Sequence, residues 1–290
     1  MIPETFELAG RLPVRRLGYG TAQLTGPGYW GPRGDARDAV GLLRRAVERG
    51  VTLIDTADNY GPSIAEALVA EALYPYPPGL VIATKGGVVR TGPDAWHIEG
   101  RPERLRAMCE ASLRRLRLDT IDLYQLHRLD PDVPMAEQLG ALDELRREGK
   151  IRHIGLDTVT AEQLTAARQL TDGIASVQNR YNLTDRASEP LLKLCEAHGL
   201  AFLPWFPLGN GSLTTSPKAA GRATATRVCA DIAAARGTSP GRIALAWLLH
   251  HSPALCPTPG TSSPAHLEEN LDAATVRLDA DDMSRLDALG

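Results

Sequence analysis

Short apolar runs recur along nearly the whole chain, and between them hydrophobic positions fall at helical spacing. Runs near 14–20, 52–55, 80–84, 121–126, 151–156, 174–178, 200–205 and 254–258 read as buried strands. In the first intervening stretch Ala39, Val40, Leu42, Leu43, Ala46 and Val47 repeat with a helical period. Arg44, Arg45, Glu48 and Arg49 lie opposite, and Gly50 closes the helix. Leu105, Met108, Leu113 and Leu116 repeat the pattern, as do Leu139, Leu142 and Leu145 before Gly149. Eight strands, each followed by a helix, predict an α/β fold, a (β/α)8 TIM barrel occupying residues 1–290 as a single domain. An N-terminal β-hairpin over 6–14, turning at Gly10, is expected to cover one end of the barrel. Extra C-terminal helices complete the picture: one at 226–236 ahead of the seventh barrel helix at 240–249, and a last one N-capped by Asp279. An open doubly wound sheet would carry Gly-x-Gly-x-x-Gly after an early strand, and Gly18-Tyr-Gly20-Thr-Ala-Gln lacks the third glycine.

Composition narrows the function classes. A net charge of -3 speaks against nucleic acid and against an anionic membrane surface as partners. No apolar run approaches the roughly 18 residues a membrane span needs. The N-terminus lacks a basic segment followed by an apolar one, so no signal peptide is read and a cytoplasmic location is expected. Cys109, Cys195, Cys229 and Cys256 are scattered without Cys-x-x-Cys spacing, which fits reduced buried thiols. No metal-ligand spacing is present, and no metal is expected.

Candidate chemistry gathers just beyond the apolar runs. Asp55, Tyr60, Lys85 and His127 each follow one, and strand ends are where a barrel enzyme collects its reactive groups. Hydride transfer to a carbonyl leaves negative charge on oxygen, so a site must deliver a proton and steady an oxyanion. A free tyrosine, with a pKa of about 10, is a weak donor at neutral pH. A nearby ammonium favours phenolate, and a carboxylate keeps that ammonium charged. Tyr60 is therefore expected as general acid, tuned by Lys85, with Asp55 pairing the lysine and His127 orienting the carbonyl. Each alone has a plainer reading: a turn aspartate, a loop tyrosine, a surface lysine, a solvated histidine. Asp58 reads as a turn residue. His97 is either a pocket or a loop-packing residue, and His153, His198, His250 and His251 read as structural or solvated.

Asp55-Thr-Ala-Asp-Asn-Tyr60-Gly, Thr84-Lys85-Gly, Asp122-Leu-Tyr-Gln-Leu-His127 and Pro259-Gly-Thr-Ser-Ser-Pro-Ala-His266-Leu-Glu-Glu269-Asn270 resemble the aldo-keto reductases from about Arg16 to Gly290. The resemblance implies a (β/α)8 barrel, NADPH held without a Rossmann domain, and interconversion of a small-molecule carbonyl with its alcohol. It matches the four residues above to the family's catalytic tetrad. By the same resemblance, Gly20, Thr21 and Ala22 meet the nicotinamide side of the cofactor, together with Asp55. Gln178 holds the carboxamide and Trp205 stacks on the ring. Phe206 and Pro207 follow at the cofactor, and Leu208, Gly209 and Gly211 form the loop over the pyrophosphate. Gly260, Thr261 and Ser262 meet phosphate ahead of a helix starting near Pro264, a placement that suits an anion. His266, Glu269 and Asn270 face the adenosine end. Core packing, a Ser263 N-cap and a polar helix face are the plainer readings of these positions. Tyr60-Gly-Pro-Ser, Gln178-Asn-Arg-Tyr-Asn-Leu183 and Pro204-Trp-Phe-Pro-Leu-Gly209 further resemble the bacterial pyridoxal reductase (pyridoxine 4-dehydrogenase) branch.

Three departures from the family pattern stand out. Asp157 and Thr158 replace a Ser-Asn pair that contacts the carboxamide. Gly260 and His266 stand where many relatives carry lysine and arginine near the 2′-phosphate, which predicts a weakened preference for NADPH over NADH. The chain ends at Gly290, soon after its last helix, so a more open substrate pocket is expected, lined by Tyr29, Trp30, Val88, Trp96 and Phe206. For the substrate, pyridoxal competes with a carbonyl intermediate of secondary metabolism. For the class, a reductase competes with a cofactor-binding regulatory subunit, as in potassium-channel β-subunits.

Overall fold

The computed structural model describes residues 4–214 and 220–290. A hairpin comes first, β1 (Thr5–Leu8) against β2 (Leu12–Arg15), turning at Gly10. Seven parallel strands follow: β3 (Tyr19–Gly20), β4 (Leu53–Asp55), β5 (Val81–Gly86), β8 (Ile121–Leu126), β9 (Ile151–Asp157), β10 (Ile174–Arg180) and β11 (Ala201–Trp205). They lie in chain order from β3 to β11, each beside the strand before it. Segment 254–258 closes the sheet into a barrel. Phe202 N–H donates to Ala254 O (2.8 Å), Cys256 N–H to Phe202 O (2.8 Å), and Gly18 N–H to Pro257 O (3.0 Å). This eighth element is an irregular strand with one parallel bridge, Phe202 to Leu255, because Pro253, Pro257 and Pro259 have no N–H to give a ladder.

The expected strand over 14–20 is split. Arg16 interrupts it by turning its guanidinium inward to the carbonyls of Leu249 (3.0 Å), Leu255 (3.0 Å) and Ser252. A second correction follows β5, where the expected loop is a hairpin, β6 (Val88–Gly92) against β7 (Ala95–Ile98).

The helices are α1 (Ala36–Glu48), α2 (Ile64–Leu73), α3 (Pro102–Leu116), α4 (Met135–Arg147), α5 (Ala161–Leu170), α6 (Glu189–His198), α7 (Ala220–Ala235), α8 (Pro240–His251), α9 (Pro264–Asp272) and α10 (Ala280–Asp287). Among the described residues no helix is long and apolar enough to cross a membrane. α1 buries Ala39, Val40, Leu42, Leu43 and Ala46 against the barrel, the face its periodicity marks. Asp279 accepts from Asp282 N–H in a capping box, as expected for the last helix. The extra helix α7 begins earlier than expected.

Inside the barrel, strand alternation sorts side chains into layers. At the end where strands begin, Leu8 and Val14 of the hairpin pack on Leu53, Val81, Leu123, Ala175 and Ala201 and plug the barrel. Further along the strands the inward positions turn polar: Asp55, Lys85, Gln125 and Gln178. Apolar filling below and charge above confine the chemistry to the strands' C-terminal ends.

Candidate active site

Asp55 ends β4 and Lys85 lies near the end of β5, so adjacent parallel strands aim their side chains at one point. The Lys85 ammonium donates to both Asp55 oxygens (2.9 and 2.8 Å) and to Thr56 O (3.0 Å), and lies 3.5 Å from the Tyr60 hydroxyl. Tyr60 sits in the loop between β4 and α2, and Asp58 N–H donates to Lys85 O, pinning that loop to β5. The Gln125 and Gln178 amides also donate to Asp55 Oδ1 (2.9 and 3.2 Å), so the buried carboxylate is surrounded by donors. Gln125 reaches it by lying across Gly155, where a Cβ would come within 2.6 Å of Gln125 Cγ. The four expected residues meet: the Tyr60 and His127 rings are edge to face at 6.1 Å.

Burial opposes the charge on Lys85, but Asp55 and Tyr60 outweigh it and hold the ammonium above its usual range. Burial also pushes the Tyr60 hydroxyl up to about 12, with Lys85 pulling down and Asp55 adding to the rise. Pairing with Lys85 predicts a lowered value, and desolvation reverses the sign. Tyr60 is thus a phenol that keeps its proton at neutral pH until a stronger base arrives. His127 is held neutral, displaced well below the usual range by burial and then by Lys85 and Arg128. Asp58, read as a turn residue, is half-buried with its Oδ1 atom shielded from solvent; desolvation and then Glu66 raise its carboxyl well above the usual range.

A cavity of about 920 Å³ runs from Tyr29 and Trp96, over Asp55, Tyr60 and His127, to His266, Glu269 and Asn270. Most expected cofactor positions line it: Gly20, Ala22, Asp157, Gln178, Trp205, Phe206, Pro207, Leu208, Gly211, Gly260, Thr261 and Ser262. Three do not. Thr21 is fully buried behind the wall. Thr158 adopts φ 56 and turns its hydroxyl to Asp157 Oδ1 (2.7 Å) instead of into the cavity. Gly209 lies in the bend of its loop, off the lining. On the substrate side Tyr29, Trp96 and Phe206 line the cavity, while Trp30 and Val88 do not. Val88 is buried beneath it, and Trp30 is turned toward the Arg90 guanidinium (5.6 Å). Arg90 itself lies 3.9 Å over Trp96 and donates to the carbonyls of Gly28 (2.7 Å) and Tyr29 (2.8 Å), tying β6–β7 to the loop after β3.

Sequence reasoning missed Arg33, Arg128, Asn59 and Gln125. Arg33 and Arg128 line the cavity, and Arg128 pairs with Asp157 (2.8 Å). Gln125 left a signal, a polar residue on the strand face of Ile121 and Leu123.

The dimensions suit a dinucleotide, and the wall has groups for one. Trp205, on the lining, has a buried Nε1 donor without a partner. Gly20 and Gly260 put bare backbone at the wall: a Cβ on Gly20 would meet Thr258 O at 2.6 Å and one on Gly260 would meet Gly20 O at 2.7 Å. The aldo/keto reductase family model matches residues 16–290. The chain belongs to the aldo/keto reductase family. As such it is an oxidoreductase on a (β/α)8 barrel. It is 43% identical to an uncharacterised oxidoreductase of Schizosaccharomyces pombe over 97% of this chain and 88% of that one. It is 38% identical to the pyridoxine 4-dehydrogenase of Escherichia coli over 100% and 99% of the two chains. The crystal structure of an aldo-keto reductase from Klebsiella pneumoniae in complex with NADPH superposes with a TM-score of 0.83 at 27% identity, covering 100% of this chain and 95% of that one.

Proposed function

We propose that this aldo/keto reductase reduces an aldehyde or ketone to its alcohol with NADPH, using Tyr60 as proton donor, and that pyridoxal is among its substrates. The observation that carries the reading is the Lys85 ammonium, gripped by both Asp55 oxygens and 3.5 Å from the Tyr60 hydroxyl at the cavity floor. NADPH is supported by the cavity's length and donors and by the NADPH complex of the Klebsiella relative. When bound, NADPH supplies the hydride to the carbonyl carbon. Everything else falls to the chain. Trp205 offers a flat face at the wall, and Gln178 and Asp157 offer polar groups to a carboxamide. His127 donates to the carbonyl oxygen, and Tyr60 Oη gives its proton to that oxygen as the C–O π bond becomes an alkoxide. The alkoxide is the stronger base, so a phenol displaced to about 12 still loses its proton to it. The phenolate is then steadied by Lys85.

Pyridoxal is supported by the full-length likeness to the Escherichia coli dehydrogenase and by the aromatic walls Tyr29, Trp96 and Phe206, which suit a planar ring. Two measurements on purified protein test these points. Tyr60→Phe should lower kcat by roughly 10²–10⁴-fold while NADPH affinity stays nearly constant, because only the transferable proton is lost; retained turnover would refute the acid assignment. Catalytic efficiency should be higher for pyridoxal than for simple aromatic aldehydes, and equal efficiencies would remove pyridoxal from the reading.

A further inference from the structure

Asn59 touches His127 in a way that fixes where its proton sits. The asparagine is 3% exposed, in the loop between β4 and α2, and its amide nitrogen lies 3.1 Å from Val88 O and 3.1 Å from His127 Nδ1. Val88 O only accepts, so the NH2 end of the amide must face it; the reverse orientation would set two acceptors against each other. Both amide hydrogens are then assigned, one to Val88 O and one to His127 Nδ1. An Nδ1 that receives a hydrogen bond cannot carry a proton.

We propose that Asn59 is a positioning residue that locks His127 in the Nε2–H tautomer, leaving that N–H as the donor presented to the substrate oxygen. Burial already excludes the imidazolium, so the neutral ring has one proton to place. Asp157 Oδ2 lies 3.9 Å from Nε2, beyond hydrogen-bond range, and so does not take the donor from the cavity. Val88, expected from sequence to line the substrate pocket, acts instead through its carbonyl, which orients the amide that orients the ring. This inference rests on the carbonyl-reductase reading.

Nitrogen NMR of ¹⁵N-histidine-labelled protein without substrate tests it. In the wild type His127 Nδ1 should resonate as an unprotonated nitrogen and Nε2 as a protonated one. Asn59→Asp supplies an acceptor at the same place and should move the proton to Nδ1, lowering kcat roughly 10²-fold while the NADPH Kd stays within about twofold. A protonated Nδ1 in the wild type overturns the proposal whether or not the variant folds. Unchanged kcat in a variant whose proton has moved overturns it too. A wild type inactive on every carbonyl would instead refute the reductase reading, and the nitrogen shifts would still report on the lock.

Discussion

At the scale of single residues, Asp157 is the sharpest departure from an ordinary site. Burial raises its carboxyl from the usual range to about 6, against the pull of Arg128 and Lys85. The sign of the linkage follows from that direction. Below about pH 4 the group is protonated in both folded and unfolded chains and costs nothing. As pH rises through about 6, the unfolded chain has already ionised and the folded one bears the penalty, about 3 kcal/mol when complete. Asp157→Asn should therefore melt like the parent near pH 4 and be more stable than it above about pH 6 in paired thermal melts; a gap independent of pH would refute this. The four residues that gather at the cavity floor were legible because each comes at or just after the end of a run that the hydrophobic pattern locates. Val88 was not, because it opens the unforeseen strand β6. Trp30 and Thr158 were not, because a side chain's direction in a loop depends on local φ and on partners far away in sequence. Thr158, with its left-handed backbone, shows this most plainly.

At the scale of elements, the β6–β7 hairpin roofs the Tyr60 side of the cavity. Trp96 on β7 meets Tyr29 edge to face at 6.3 Å and His127 at 6.4 Å. Arg90 holds that roof through the Gly28 and Tyr29 carbonyls of the facing loop. Arg90→Met should cost about 2 kcal/mol or more, since those carbonyls lose charged donors. It should also raise KM for ring-bearing aldehydes roughly tenfold with the NADPH Kd unchanged, by the usual conversion of about 1.4 kcal/mol per decade. Steady-state kinetics and a melt would show both, and a shared loss of cofactor affinity would point to wider collapse. The hairpin escaped the sequence because each arm is short and mixes Arg, Thr and His among its apolar residues, which breaks the period of two. Helices with clear stops, such as α1 before Gly50, were legible. The start of α7 was not, because Ala-Gly-Arg-Ala carries no apolar stripe.

At the scale of the whole molecule, closure of the barrel depends on a buried cation. Arg16, 1% exposed, feeds carbonyls at the end of α8 and in the closing segment. Arg16→Met would leave them without its donors, so a loss of about 3 kcal/mol or more is expected, roughly 6 °C or more in Tm. A melt unchanged from wild type would show that other groups close the barrel. Eightfold alternation was legible because it repeats; the closing arginine is a single residue whose partners lie more than two hundred positions away.

The close approach of Gly20 to Thr258 and Gly260 brings the first barrel strand and the last barrel segment together. Both flanks of that joint also line the dinucleotide cavity. A ligand lying across them acts as a rivet between the beginning and the end of the polypeptide. Filling the cavity and keeping the cylinder closed would then support one another.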